Sequence, residues 1–235
     1  MNANNKPMLE KVERYHYVVL GFATFEKVLK KIEDLLKFYR IENQGKTNAK
    51  EIIYDVQNNM LSDAGVVLSK QYEDGRIMFN VRKISQLPGV LKRPSKKFIL
   101  GELQADADPK DFSLEISSAI ESSFSTPFTV DLDAFVKQTM PKIEININAN
   151  KFKIIGGTGF RGYIIQEKVI YRDIKTNKKV EREGVTLQLP LSDAYADENK
   201  KILDIIDREV KELGLFNASR FEIAQKLLYT KEDEE

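Results

Sequence analysis

Residues 52–84 read IIYDVQNNMLSDAGVVLSKQYEDGRIMFNVRKI, and the reading of this stretch decides the fold. Glu51-Ile52-Ile53-Tyr54-Asp55-Val56 is a short strand, followed by polar turn residues at Gln57, Asn58 and Asn59. GVVLSKQY and RIMFNVRKI are β-branched and aromatic runs separated by Glu73-Asp74-Gly75, which is the chemistry of a hairpin turn. In the second run Ile77, Phe79 and Val81 share one face, while Arg76, Asn80 and Arg82 share the other with Met78. One face is expected to be buried against apolar neighbours, and the other is polar.

Outward from this hairpin the same alternation recurs. VERYHYVVL (12–20) reads as a first strand. TFEKVLKKIEDLLKFY (24–39) reads as an amphipathic helix whose apolar stripe is Phe25, Val28, Leu29, Ile32, Leu35 and Leu36. ENQGKTNAK (42–50) has loop chemistry, and the basic run KRPSKK (92–97) reads as a solvated connection. In KIEININANKFKI (142–154), Ile143, Ile145 and Ile147 alternate with Lys142, Glu144, Asn146 and Asn148. GGTGFRG follows as a glycine-rich turn; it lacks the Lys-Ser/Thr ending of a P-loop, and a strand comes after it where a P-loop needs a helix. YIIQEKVIYRDI and VEREGVTLQLPL form another hairpin with TNKK at its tip. FSLEISSAIESSF and LDAFVKQTM have helical patterns. DENKKILDIIDREVKELGLF is an amphipathic helix that Gly214 is expected to stop, and SRFEIAQKLL is another, capped by Asn217 or Ser219. The sum is an α+β chain of long antiparallel strands with flanking helices. It is expected to form one domain over 1–235, with 85–140 as a loop and helical insertion and 231–235 as a disordered tail.

The 235 residues carry 37 Lys and Arg against 36 Asp and Glu, so no broad nucleic-acid surface is expected and any anion site must be concentrated. The absence of cysteine excludes disulfides, thiolate metal sites and cysteine nucleophiles, and is compatible with a reducing cytoplasm. No stretch approaches a membrane span and no secretory leader pattern opens the chain, so a soluble cytoplasmic protein without membrane contact is expected. The lone His16 makes His-based zinc sites and Ser-His-Asp chemistry unattractive, and it reads as a strand residue without a catalytic task.

IIYDVQNNMLSDAGVVL resembles the segment of CYTH domains, also called triphosphate tunnel metalloenzymes, in which a Tyr-Tyr-Asp-Thr box precedes a leucine, a glycine and a Leu-Arg-x-Arg strand. RIMFNVRKI resembles the next strand of that family, which ends in a basic residue. GVTLQLPL, the helix ending KELGLF, and NASRFEIAQKLL follow the order of the family's last strand, closing helix and Ser-Lys-x-Glu helix start. The resemblance implies an antiparallel β-barrel or cupped sheet whose interior binds triphosphate or polyphosphate. Basic side chains would cradle the phosphates, and carboxylates would hold Mg²⁺ or Mn²⁺.

The chain departs from that pattern where the acids should be. The family's Glu-x-Glu-x-Lys strand corresponds to Arg14-Tyr15-His16-Tyr17-Val18, and a shifted register adds only Glu13. The Leu-Arg-x-Arg strand corresponds to Leu68-Ser69-Lys70-Gln71, and Thr186 and Gln188 stand where alternating glutamates are expected. Glutamine cannot supply the negative charge a hard cation needs. The resemblance therefore implies a phosphate-containing anionic ligand, namely a triphosphate, polyphosphate or nucleotide, with a degenerate catalytic site and no cofactor. Its expected contacts are Arg14, Arg76, Arg82, Asn146, Asn148, Lys168, Arg172 and Gln188. Glu13 and Glu144 are the metal candidates, although Glu144 fits a salt-bridge partner better, and Asp55 reads as structural. Two other readings stand beside this one. One is an active metal-dependent triphosphate phosphohydrolase using Mg²⁺ or Mn²⁺, with Glu10, Glu13, Glu144 and Glu167 as ligands; the other is a non-catalytic scaffold for a protein partner. The favoured reading expects even-numbered side chains around Arg82 and Asn146 to converge on one cavity short of negative charge.

Overall fold

The computed structural model describes residues 12–20, 23–57, 59–73, 75–83, 98–99, 106–123, 131–157, 159–190, 193–215 and 218–229. The chain runs through β1 (Val12–Val19), α1 (Phe25–Leu35), β2 (Arg40–Asp55), α2 (Met60–Asp63), β3 (Val66–Glu73), β4 (Arg76–Lys83) and β5 (Phe98–Ile99). It continues through α3 (Ser113–Ser123), α4 (Leu132–Val136), β6 (Met140–Gly156), β7 (Gly159–Asp173), β8 (Lys179–Pro190), α5 (Ala196–Glu209), β9 (Leu213–Leu215) and α6 (Arg220–Tyr229). The strands belong to one sheet in the order β5-β4-β3-β2-β6-β7-β8-β1-β9. β1 pairs antiparallel with β8, setting Arg14 opposite Gln188, and β3 pairs antiparallel with β4, setting Ser69 opposite Asn80. The α+β class stands, and of the two forms expected, a barrel or a cupped sheet, it is the unclosed sheet that is found. Closure requires the two outer strands to pair, and among the described residues β5 and β9 remain edges. No helix of the described residues is long and apolar enough to cross a membrane.

Two local expectations are corrected. Residues 42–50 are strand, not loop, because backbone pairing such as Lys50 opposite Tyr72 holds them while their polar side chains stay largely exposed. Gly214 does not stop a helix: α5 ends at Glu209, the Val210 N–H closes the last turn on the Ile206 carbonyl, and Gly214 lies in β9 opposite Val18. Ser219 does cap α6, its N–H donating to Glu222 Oε2 (2.7 Å) while its hydroxyl accepts from the Glu222 N–H (3.3 Å). Asn217, most of 84–105, 124–130 and the 231–235 tail lie outside the described residues.

The chain divides into two compact units. Unit 1 comprises 1–45, 150–167 and 184–216, and unit 2 comprises 46–149, 168–183 and 217–235. In unit 1 the core joins Tyr17, Phe152, Ile154, Ile164, Val185, Leu187 and Leu189 of the strands to Phe25, Val28 and Ile32 of α1 and Ile202 and Ile206 of α5. Each such side chain stabilises the fold by about 1.5–3 kcal/mol on burial. Tyr17 Oη donates to Asp207 (2.9 Å), fastening β1 to α5. In unit 2 the core joins Tyr54, Leu68, Phe79 and Val81 to Ile116 and Ile120 of α3 and Leu132 and Val136 of α4. Asp55 is structural there: its carboxylate accepts from the N–H groups of Leu61 (2.9 Å) and Ser62 (3.0 Å) in the first turn of α2.

Candidate functional site

Strand alternation turns the unit 1 core into a statement about its other face. Because Tyr17, Phe152, Ile154, Ile164, Leu187 and Leu189 face the helices, the residues between them project oppositely. That second face carries Arg14 and His16 of β1, Thr186 and Gln188 of β8, Tyr163 of β7, and Lys151 and Lys153 of β6. His16 Nδ1 lies 2.8 Å from Thr186 Oγ1, which places His16 in a strand hydrogen bond. Lys151 Nζ sits 3.8 Å from the centroid of the Tyr163 ring, and Lys153 Nζ sits 5.7 Å from that of Phe160. Both lysines are half-buried, and neither has a carboxylate partner among the described residues. An aromatic face stabilises an ammonium by about 0.5–1 kcal/mol without neutralising it.

The glycine-rich turn contributes through a break in alternation. The rings of Phe160 and Tyr163 lie 4.9 Å apart, so residues three apart share a side, as happens across a bulge. Gly162 makes this possible: its φ is +147°, and a Cβ there would lie 2.5 Å from the Gln188 carbonyl oxygen. Arg161 is thereby sent to the helix side, where its guanidinium pairs with Glu198 of α5 and lies over the Tyr195 ring. Burial pushes the Tyr39 phenol up, and the Glu198 carboxylate adds to that rise.

Unit 2 shows the same division with a different charge balance. Opposite its apolar core, one face of β2, β3 and β4 carries Glu51, Ser69, Asn80 and Arg82. Glu51, Ser69 and Asn80 are at most 2% exposed. Arg82 donates to Glu51 in an ion pair and to Ser69 Oγ (3.3 Å). Among the described residues, neither Oδ1 nor Nδ2 of Asn80 has a hydrogen-bond partner. A buried polar group left unpaired costs about 1–3 kcal/mol. The neighbouring Lys70 projects the other way, its ammonium donating to the Ala107 carbonyl (2.5 Å).

The remaining predicted contacts divide between places. Glu144 accepts from Lys50 (2.6 Å), Asn146 (2.9 Å) and Arg172 (3.2 Å). Lys50 precedes Glu51 on β2 and so faces the opposite way, which puts the Glu144 cluster on the other side of the sheet from Arg82. Burial pushes the Glu144 carboxyl up, but the Lys50 and Asn146 hydrogen bonds and the Arg172 charge hold it below its ordinary value. Lys168 pairs with Glu181 (2.6 Å) and Asn148 is exposed. Thus Arg14 and Gln188 meet in unit 1, Arg82 meets Glu51, and Asn146 and Arg172 meet around Glu144. Glu10 and the side chains of Glu13 and Arg76 lie outside the described residues, and Glu167 is buried.

Sequence reasoning missed Lys151, Lys153 and Glu51. The alternation Lys151-Phe152-Lys153 continues the β6 pattern and could have been followed past Asn148; Glu51 gave no signal apart from its place two residues before Ile53. The divalent cation implied by the resemblance does not fit the described donors. Among them no three His, Cys, Asp or Glu residues gather, and Glu51 and Glu144 are already committed to cations.

No family model and no curated protein matches the sequence. Solved structures match in fold. A Hippeastrum protein described as having a dominant triphosphatase activity aligns with a TM-score of 0.55 at 10% identity, covering 92% of this chain and 95% of its own. A protein from Pyrococcus horikoshii OT3 aligns with a TM-score of 0.50 at 10% identity, covering 92% of this chain and 99% of its own. The fold is that of a CYTH-like domain.

Proposed function

We propose that this chain binds a phosphate-rich anion, a triphosphate, polyphosphate or nucleotide, on the polar face of unit 1. Lys151 and Lys153 would be the principal phosphate contacts, with Arg14 supplying further positive charge and Thr186 and Gln188 neutral donors. The observation that carries this reading is the pair of half-buried lysines, on one face of one strand, with no carboxylate partner among the described residues. Two residues along a strand span roughly 6.6 Å, which favours a chain of linked phosphates over a single ion. The fold likeness to a triphosphatase agrees with that ligand class. Metal-dependent hydrolysis is not part of this proposal, because the described carboxylates of unit 2 already serve as counter-ions.

The test is thermal unfolding with tripolyphosphate, with and without Mg²⁺. A ligand that binds only the folded state at 100 times its Kd adds about 2.7 kcal/mol of stability. The melting temperature should rise without metal, and the rise should disappear in Lys151→Gln/Lys153→Gln. A double variant that folds normally and keeps the full rise would overturn the proposal.

A further inference from the structure

We propose that Asn80 and Ser69, on the polar face of unit 2, form a binding site for a neutral group that presents a hydrogen-bond donor beside an acceptor. A carboxamide and the amino-nitrogen edge of an adenine-type base share this chemistry. The proposal is independent of the anion reading for unit 1.

Four observations converge. Asn80 is 0% exposed, and both polar atoms of its amide lack a partner among the described residues. Native proteins rarely leave such an amide unpaired unless a water or ligand completes it. Its cross-strand neighbour Ser69 is also fully buried and places a hydroxyl on the same face. The charges of the cluster are already matched, Arg82 against Glu51, so an entering ion would meet no unbalanced opposite charge. A neutral ligand meets no such penalty. The Arg82 side chain, 19% exposed, marks where the cluster reaches solvent. An asparagine amide offers one acceptor and two donors in a plane, so it pairs through two bonds with a complementary donor–acceptor edge.

The experiment is thermal unfolding of the full chain with adenosine, with benzamide, and with benzoate, which keeps the ring but replaces the amide with a charge. Adenosine or benzamide should raise the melting temperature of the wild type, and benzoate should not. A response to adenosine alone identifies a base edge, and a response to benzamide alone identifies a carboxamide. Asn80→Leu, which removes an unpaired polar group, should melt at or above the wild type and lose the response. Should that variant fail to fold, Asn80→Asp keeps the shape but removes the donor, and must lose it too. The proposal is overturned if neither neutral probe shifts the wild type, if benzoate shifts it as much, or if the shift survives substitution of Asn80.

Discussion

The polar faces of the two units are built alike and charged differently. In each, helices cover an apolar side of the strands and the other side carries polar groups, in unit 2 beside the buried Ile53 and Val67. Unit 1 sets Lys151 and Lys153 against aromatic rings, while unit 2 sets Arg82 against the buried carboxylate of Glu51. A cation on a strand is therefore an anion site only where no neighbouring strand has supplied the anion already. The distinction cannot be made from residue type.

The sharpest way to break this comparison is to remove the internal counter-ion. Glu51→Leu removes the buried carboxylate that faces the largely buried Arg82 guanidinium and should cost about 3–5 kcal/mol in urea unfolding. Glu51→Leu/Arg82→Leu should recover most of that loss, since an apolar pair of similar volume replaces a buried ion pair at little cost. A single substitution that costs nothing measurable would mean that the unit 2 cation is solvated like those of unit 1.

The complementary test in unit 1 reads in the opposite direction. Lys151→Gln or Lys153→Gln should each change stability by no more than about 1 kcal/mol, the worth of one cation–ring contact. Each should nonetheless shrink the thermal response to tripolyphosphate and flatten its dependence on salt. A large stability loss with an unchanged response would reverse the roles of the two units.

The smallest effect is expected at Glu144, whose carboxyl is held below its ordinary value. Its contribution to stability is present above the unfolded pKa and is lost as pH falls through the lower folded one. Glu144→Gln should therefore be less stable than the wild type near neutrality, and the gap should close in acid. A gap of equal size at all pH values would show that packing, not charge, accounts for it.

Much of the architecture was legible because alternation is local. The hairpin at Glu73-Asp74-Gly75, the amphipathic stripes of α1 and α5, and the opposite faces of Phe79 and Asn80 all follow from neighbouring residues. Residues 42–50 were not legible, because an exposed strand is held by a partner remote in the chain and its side chains look like those of a loop. The site was less legible than the fold. Arg82, Asn146 and Arg172 share a parity along their strands, yet parity is relative to each strand and does not say which face of the sheet it denotes. Arg82 turned toward Glu51, while Asn146 and Arg172 turned toward Glu144 and Lys50. Gly162 adds a second failure, since one residue in a bulge inverts every later assignment on the strand.

By itself, the sequence determined most of the strands and helices, which sides of them are apolar, and that the segments resembling the family's acidic strands hold few acids. Those properties depend on periods of two and 3.6 residues along one segment. Tertiary structure alone decided that Glu51 pairs with Arg82 and that, among the described residues, Lys151 and Lys153 have rings and no carboxylate beside them and Asn80 is enclosed without a partner. Charge balance and hydrogen-bond satisfaction belong to pairs of atoms, and the register between distant strands chooses the pairs.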